Sequence, residues 1–183
     1  MIDRNDVSLI IFNMQLDLIP LLNDCYRLTH GCRWVADLFQ THQLPTLLIE
    51  HKKLGVLAAS VRDVAEDAVV KEKSHFNIAH EADIMQHLQA LGRSQVVLAG
   101  AESHVCLYQS AMGLKAIGKK VFVLADTISA RSAQDNQWAI ERLRMQGVEL
   151  ISKEMLFFEL IQHSELADYQ TLALKFLDGR YVD

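Results

Sequence analysis

Five short apolar runs, at residues 7–12 (VSLIIF), 44–50 (LPTLLIE), 94–100 (SQVVLAG), 119–126 (KKVFVLAD) and 147–152 (GVELIS), recur along the chain without strict polar alternation. A strand with one solvated face alternates apolar and polar residues, whereas a continuous run suits a strand covered on both faces of a parallel sheet. Between the runs lie stretches of helical length. Residues 32–44 space Val35, Leu38 and Phe39 at three and four, and residues 82–93 do the same with Ile84, Leu88 and Leu91. Two more follow, one from Cys106 to a stop at Gly118 and one from Ser132 to Gly147. Alternating strands and helices with short linkers imply right-handed crossovers and an α/β fold, a three-layer α/β/α sandwich around a mainly parallel sheet. A weaker run, residues 67–73 (DAVVKEK), reads as an edge strand or an extended segment. The stretch from residue 154 to the end reads as two helices against this body.

The 183 residues fit one domain over 1–183, with no internal repeat, low-complexity run or linker. Half the residues are hydrophobic and 22% are charged, which is ordinary globular usage. The net charge is −5, and Lys52-Lys53 and Lys119-Lys120 are the paired basic runs, too dispersed for a phosphate-binding face. No nucleic-acid partner is expected. With no membrane-length apolar segment and no cleavage site after the first apolar run, no membrane association and a cytoplasmic location are expected. Cys25, Cys32 and Cys106 are an odd count without CxxC spacing, which argues against a disulfide framework and a zinc knuckle.

In open parallel sheets the chemistry gathers at the carboxyl ends of strands. Three such ends carry reactive groups: Asn13, Gln15 and Asp17 in NMQLD, Lys73 with His75 and Phe76 in KEKSHF, and AESHVC, which places Cys106 at a helix start. A thiol there has its thiolate stabilised by free N–H groups and the helix dipole, and a lysine adds to the effect. The competing reading is a cysteine that serves as a small buried apolar residue. Cys25, in a polar loop, and Cys32, at a helix start, are read as inert, Lys71 as a surface charge, and His75 and His104 as polar rim. Spacing alone leaves both readings of Cys106 open.

Taken together, NMQ at 13–15, Lys73 in KSHF, GAESHVC at 100–106 and LADTISARS at 124–132 resemble the isochorismatase-like cysteine hydrolases, in the branch of isochorismatase-domain-containing proteins. The resemblance spans nearly the whole chain, and the Gly-to-Cys segment is its most specific part. It implies a Rossmann-like sheet and a cysteine that attacks a carbonyl or similar electrophile, giving a covalent intermediate that water releases. It further implies that Lys73 favours the thiolate of Cys106. A non-proline cis peptide at Ala101-Glu102 would help form an oxyanion hole, with the Cys106 N–H as donor and that of Glu102 or Val105 as the second. Gln15, His75, Phe76 and His104 fall in the substrate pocket.

The family's general base is an aspartate at the position of Asn13. An amide cannot accept a proton at neutral pH. Asp17 is the nearest carboxylate in sequence; it reads either as a displaced base or, in preference, as a residue ordering its loop, and His75, Glu102 and His104 are other substitutes. Nicotinamidase-type relatives hold a metal through residues after the second strand, but Glu50 and His51 are adjacent and point opposite ways in an extended chain, so no metal is expected. No Gly-x-Gly-x-x-Gly follows the first strand, and no cofactor is expected. The reading is a hydrolase acting on a small molecule through an amide or related bond. The alternatives are a catalytically silent binding or assembly protein with the same fold and, below it, a redox sensor. A homo-oligomer is expected from the family and from the apolar MLFFELI near the C-terminus.

Overall fold

The computed structural model describes residues 1–177; the end of the expected 1–183 domain, residues 178–183, lies outside them. Six strands form one sheet: β1 (Val7–Phe12), β2 (Thr46–His51), β3 (Val69–Lys73), β4 (Gln95–Ala101), β5 (Lys120–Ser129) and β6 (Glu149–Ile151). Every pairing is parallel, in the order β3-β2-β1-β4-β5-β6. The helices are α1 (Cys25–Thr41), α2 (Ala59–Arg62), α3 (Ala82–Ala90), α4 (Tyr108–Ala116), α5 (Ala133–Met145), α6 (Lys153–Ile161) and α7 (Tyr169–Phe176).

The continuous apolar character of the central strands follows from burial on both faces. All six residues of β1 are buried; Val7, Leu9 and Ile11 face a cluster with Trp34, Phe39 and Leu156, while Ile10 and Phe12 face one with Ile84, Leu107 and Leu143. Thus α1, α6 and α7 cover one face and α3, α4 and α5 the other, which is the expected sandwich. The weak run at 67–73 is the edge strand β3, whose Lys71 and Glu72 blunt an open edge that would otherwise pair with other chains.

Two local boundaries differ from the sequence reading. Helix α1 starts at Cys25, seven residues earlier than the apolar spacing indicated, because Asp24, in a left-handed conformation, caps it by accepting the Arg27 N–H. Cys25 therefore opens a helix instead of lying in a loop, and Cys32 is inside that helix and fully buried. Strand β5 runs to Ser129, through a register shift opposite Leu98 and Gly100, where the sequence suggested an end near Asp126. Within MLFFELI, Leu156, Phe157, Leu160 and Ile161 enter the core, which leaves Met155 and Phe158 as its exposed apolar side chains.

The order of the strands fixes where a ligand can enter. The chain adds β2 and β3 on one side of β1, then crosses back to lay β4 on the other side, so the carboxyl ends of β1 and β4 diverge at a topological switch point. Their register pairs Phe12 with Gly100. Gly100 has φ +99°, and a Cβ there would lie 2.2 Å from the Phe12 carbonyl oxygen and 2.7 Å from its nitrogen. Only glycine satisfies both demands.

The Gly100→Ala variant should lose about 2–4 kcal/mol of stability from strain plus overpacking, read as a lower urea midpoint with an unchanged slope.

Candidate functional site

The candidate site at the switch point draws on the ends of β1, β3 and β4. Beyond Gly100, the Ala101-Glu102 peptide bond is cis, and a π-helical turn, Ser103–Leu107, leads directly into α4. The wider turn is marked by the Leu107 N–H donating to the Glu102 carbonyl at 3.1 Å. Cys106 lies within this turn, 4% exposed. The Val105 N–H also donates to the Glu102 carbonyl, at 3.2 Å, which removes it from the donors expected for an oxyanion.

Lys73, the last residue of β3, is completely buried, and its Nζ donates to Cys106 Sγ at 3.1 Å and to the His75 carbonyl at 3.3 Å. No ion pair joins Lys73 to a carboxylate among the described residues. A buried ammonium is costly unless matched by hydrogen bonds or negative charge. The sulfur is therefore the group beside it that can become an anion.

The turn after β3 is stapled by a residue that the sequence gave no reason to select. Glu81 Oε1 accepts the N–H groups of Ser74 (2.6 Å) and His75 (2.8 Å) and lies 3.0 Å from His75 Nδ1. Burial opposes the charge of the Glu81 carboxylate, but the N–H groups of His75 and Ser74 and the His75 imidazole outweigh it and hold the group down at about 2. From the other side, the buried Ser110 hydroxyl accepts the Ile78 N–H and donates to the Phe76 carbonyl, both at 3.2 Å. A mid-helix serine carries no sequence signal for that task. Phe76, half-exposed, stacks on His51 with ring centroids 6.3 Å apart. Register pairs His51 with Lys73 on neighbouring strands. Desolvation of its ring, then the charges of Lys73 and Lys53, lower the His51 pKa, so it is neutral near pH 7.

Asn13 follows β1 with φ 50°, a left-handed conformation that asparagine and aspartate tolerate better than other side chains. It is 1% exposed, and its Oδ1 has no hydrogen-bond partner among the described residues. The other expected residues divide. Gln15 spends its amide on the loop after β2: Nε2 donates to the carbonyls of His51 (3.0 Å) and Gly55 (2.5 Å), and Oε1 accepts the His51 N–H (2.7 Å). It clamps that loop, and its amide is spent on backbone groups. Asp17 is exposed; its carboxyl packs over Gly55, 2.9 Å from where a Cβ there would lie, and its N–H donates to the Leu54 carbonyl. This is the loop-ordering reading of Asp17. Glu102 is paired with Arg131, Nε to Oε1 2.8 Å. His104 is half-buried with an unpartnered Nδ1, and the His75 side chain is 55% exposed.

The donors that could serve a metal do not converge. Glu50 Oε1 accepts the Leu57 N–H at 3.1 Å, His51 Nδ1 accepts the Lys53 N–H at 3.4 Å, and among the described residues no three His, Cys, Asp or Glu side chains form a metal-holding group.

With this geometry in place, comparison with known proteins decides the family. The family model described as Isochorismatase domain matches residues 8–155. The chain belongs to the isochorismatase family. Isochorismatase domain-containing protein 2 of Danio rerio is 28% identical over 154 residues, covering 83% of this chain and 74% of that protein. Among solved structures, the MAR1 ribonuclease of Caenorhabditis elegans superposes with a TM-score of 0.91 at 22% identity, covering 100% of this chain and 94% of that one. The YcaC gene product of Escherichia coli, described as an octameric hydrolase of unknown specificity, gives 0.88 at 22% identity over 97% and 91% of the two chains. At these identities the structural matches establish the fold, an isochorismatase-like hydrolase fold.

Two outcomes follow from the site. The folded-state pKa of Glu81 lies below its usual 4.5, so its contribution to stability is complete above about pH 5 and is lost as the pH falls toward about 2. Thermal unfolding of the Glu81→Gln variant should accordingly differ most from the unaltered protein near neutrality, with the two curves converging in acid. Burial raises the pKa of Cys32 far above that of a free thiol, so native-state treatment with iodoacetamide at pH 7.5 should leave Cys32 unmodified until the protein is unfolded, as peptide mass spectrometry will register.

Proposed function

We propose that this isochorismatase-family protein is a cysteine hydrolase in which Cys106 attacks a small-molecule amide or related carbonyl bond, with Lys73 as its electrostatic partner and Asn13 at the position of the family's base. One observation carries the reading: a fully buried Lys73 ammonium 3.1 Å from the sulfur of Cys106, beside the switch point of the sheet. An ammonium beside a buried sulfur favours the thiolate, the nucleophilic form. The unpartnered Oδ1 of Asn13, on the neighbouring strand end, can accept an N–H of an amide substrate, and the backbone around the Ala101-Glu102 bond supplies polar groups for the substrate oxygen. His51, His75 and Phe76 form a partly exposed rim suited to a small planar molecule.

The ribonuclease name of one structural neighbour belongs to that protein. A net charge of −5 without a clustered basic run speaks against a nucleic-acid substrate for this chain. No helix among the described residues is long and apolar enough to cross a membrane. The reading includes a cytoplasmic location, which the free thiols of Cys25, Cys32 and Cys106 favour. It also includes assembly into a homo-oligomer, supported by the octameric YcaC relative and by the exposed Met155 and Phe158 on α6.

A panel of small amides and activated esters, assayed with the full chain, tests the reading. Turnover or acylation should vanish in Cys106→Ala and fall about 10²–10³-fold in Lys73→Met. Unchanged rates in Cys106→Ala would sink it and leave a binding or assembly role. Light scattering on a sizing column should return a multiple of the chain mass; a monomer at micromolar concentration would remove the assembly part.

A further inference from the structure

Resting on Cys106 as the nucleophile, we propose that Asn13 makes this site an acyl trap: it captures one small acyl group per chain as a thioester and releases it slowly. The first half-reaction needs no base within the site: the Cys106 thiol gives its proton to solvent, and the thiolate is left beside the Lys73 ammonium. The thiolate of Cys106 attacks the carbonyl carbon of an acyl donor, a carbon–sulfur bond forms, and the bond to the leaving group breaks with its electron pair. A good leaving group departs as an anion, and a poor one takes a proton from solvent. The second half-reaction does need a base. Water attacking the thioester carbon must give up a proton as the sulfur leaves, and the amide of Asn13 cannot take it.

The neighbouring groups are committed elsewhere. Glu102 is held by Arg131, Glu81 by the N–H groups of Ser74 and His75, and Glu50 by the Leu57 N–H, while Asp17 is exposed against Gly55. Among the imidazoles, His51 uses Nδ1 on the Lys53 N–H, and His75 directs Nδ1 to Glu81 from an exposed side chain. His104 is two residues from Cys106 in one helical turn, a spacing at which side chains do not face each other. Lys73 directs its Nζ protons to the Cys106 sulfur and the His75 carbonyl, and an ammonium has no lone pair with which to accept another.

The site also suits retention of the adduct. Asn13 is 1% exposed, shielded from bulk water, and its unpartnered Oδ1 can accept an N–H brought by the bound group. The ligand class is therefore a compact acyl electrophile with a leaving group of its own, such as an activated ester or thioester.

The test uses p-nitrophenyl acetate with the full chain. Rapid mixing should show a burst of nitrophenolate approaching one per chain, followed by a slow steady state. Mass spectrometry should place one acetyl group on the Cys106 peptide. In Asn13→Asp, which suits the same left-handed backbone, the adduct should stop accumulating and the steady rate should rise about 10²-fold or more. Adduct lifetime in the unaltered protein is an independent readout should the variant fold poorly. Steady turnover of the unaltered protein without accumulating adduct, lost in Cys106→Ala, would overturn the trap and leave Cys106 as nucleophile. An adduct equally long-lived in Asn13→Asp would overturn it as well. No acetyl group on Cys106 in either protein would overturn both the trap and the nucleophile.

Discussion

The close approach of two backbones at the switch point is the constraint on which the site depends. Gly100 lies against Phe12 with no room for a Cβ, and that contact brings the end of β4 beside the end of β1. From it follow the positions of Asn13 on one side and of the Ala101-Glu102 bond and the π-helical turn on the other. A bulkier residue would separate the strands beside the candidate site. The register shift in β5 opposite the same segment lets the neighbouring strand accommodate this departure from regular pairing.

The second organising element is electrostatic. An ammonium removed from water needs compensation, and Lys73 finds it in a sulfur and a carbonyl. That carbonyl belongs to His75, whose own N–H is held by Glu81. The carboxylate therefore reaches the sulfur only through the backbone: it fixes a turn, the turn presents a carbonyl, and the carbonyl orients the lysine. Ser110 secures the same segment from α4, so the helix that follows Cys106 also anchors the loop that follows Lys73.

Much of this was legible in the sequence, because burial on both faces leaves a continuous apolar pattern in a parallel strand. The five strong runs are strands, and the edge position of the weak run explains its charge. The strand-end residues Asn13, Lys73 and Cys106 were visible for a related reason: a polar or reactive group directly after an apolar run stands out. Long-range backbone recognition was not visible. Gln15 stood at a strand end and invited a pocket role, yet its amide reads the backbone of a loop about forty residues on. Glu81, Ser110 and Arg131 act through side-chain contacts with other segments, and none carries a local pattern. Cys25 was misplaced because a polar stretch reads as loop until Asp24 is seen to cap a helix.

The left-handed backbone at position 13 has a consequence for how this protein can change over generations. Most side chains are disfavoured there, but asparagine and aspartate share the conformation, size and shape. On the proposed reading of Asn13, the chemistry of the site can thus be altered by exchanging an NH2 group for an oxygen, with the same backbone conformation open to both residues. Backbone shape and the proposed reactivity are uncoupled at this position, so a single exchange could add or remove proton transfer with the strand end left in place.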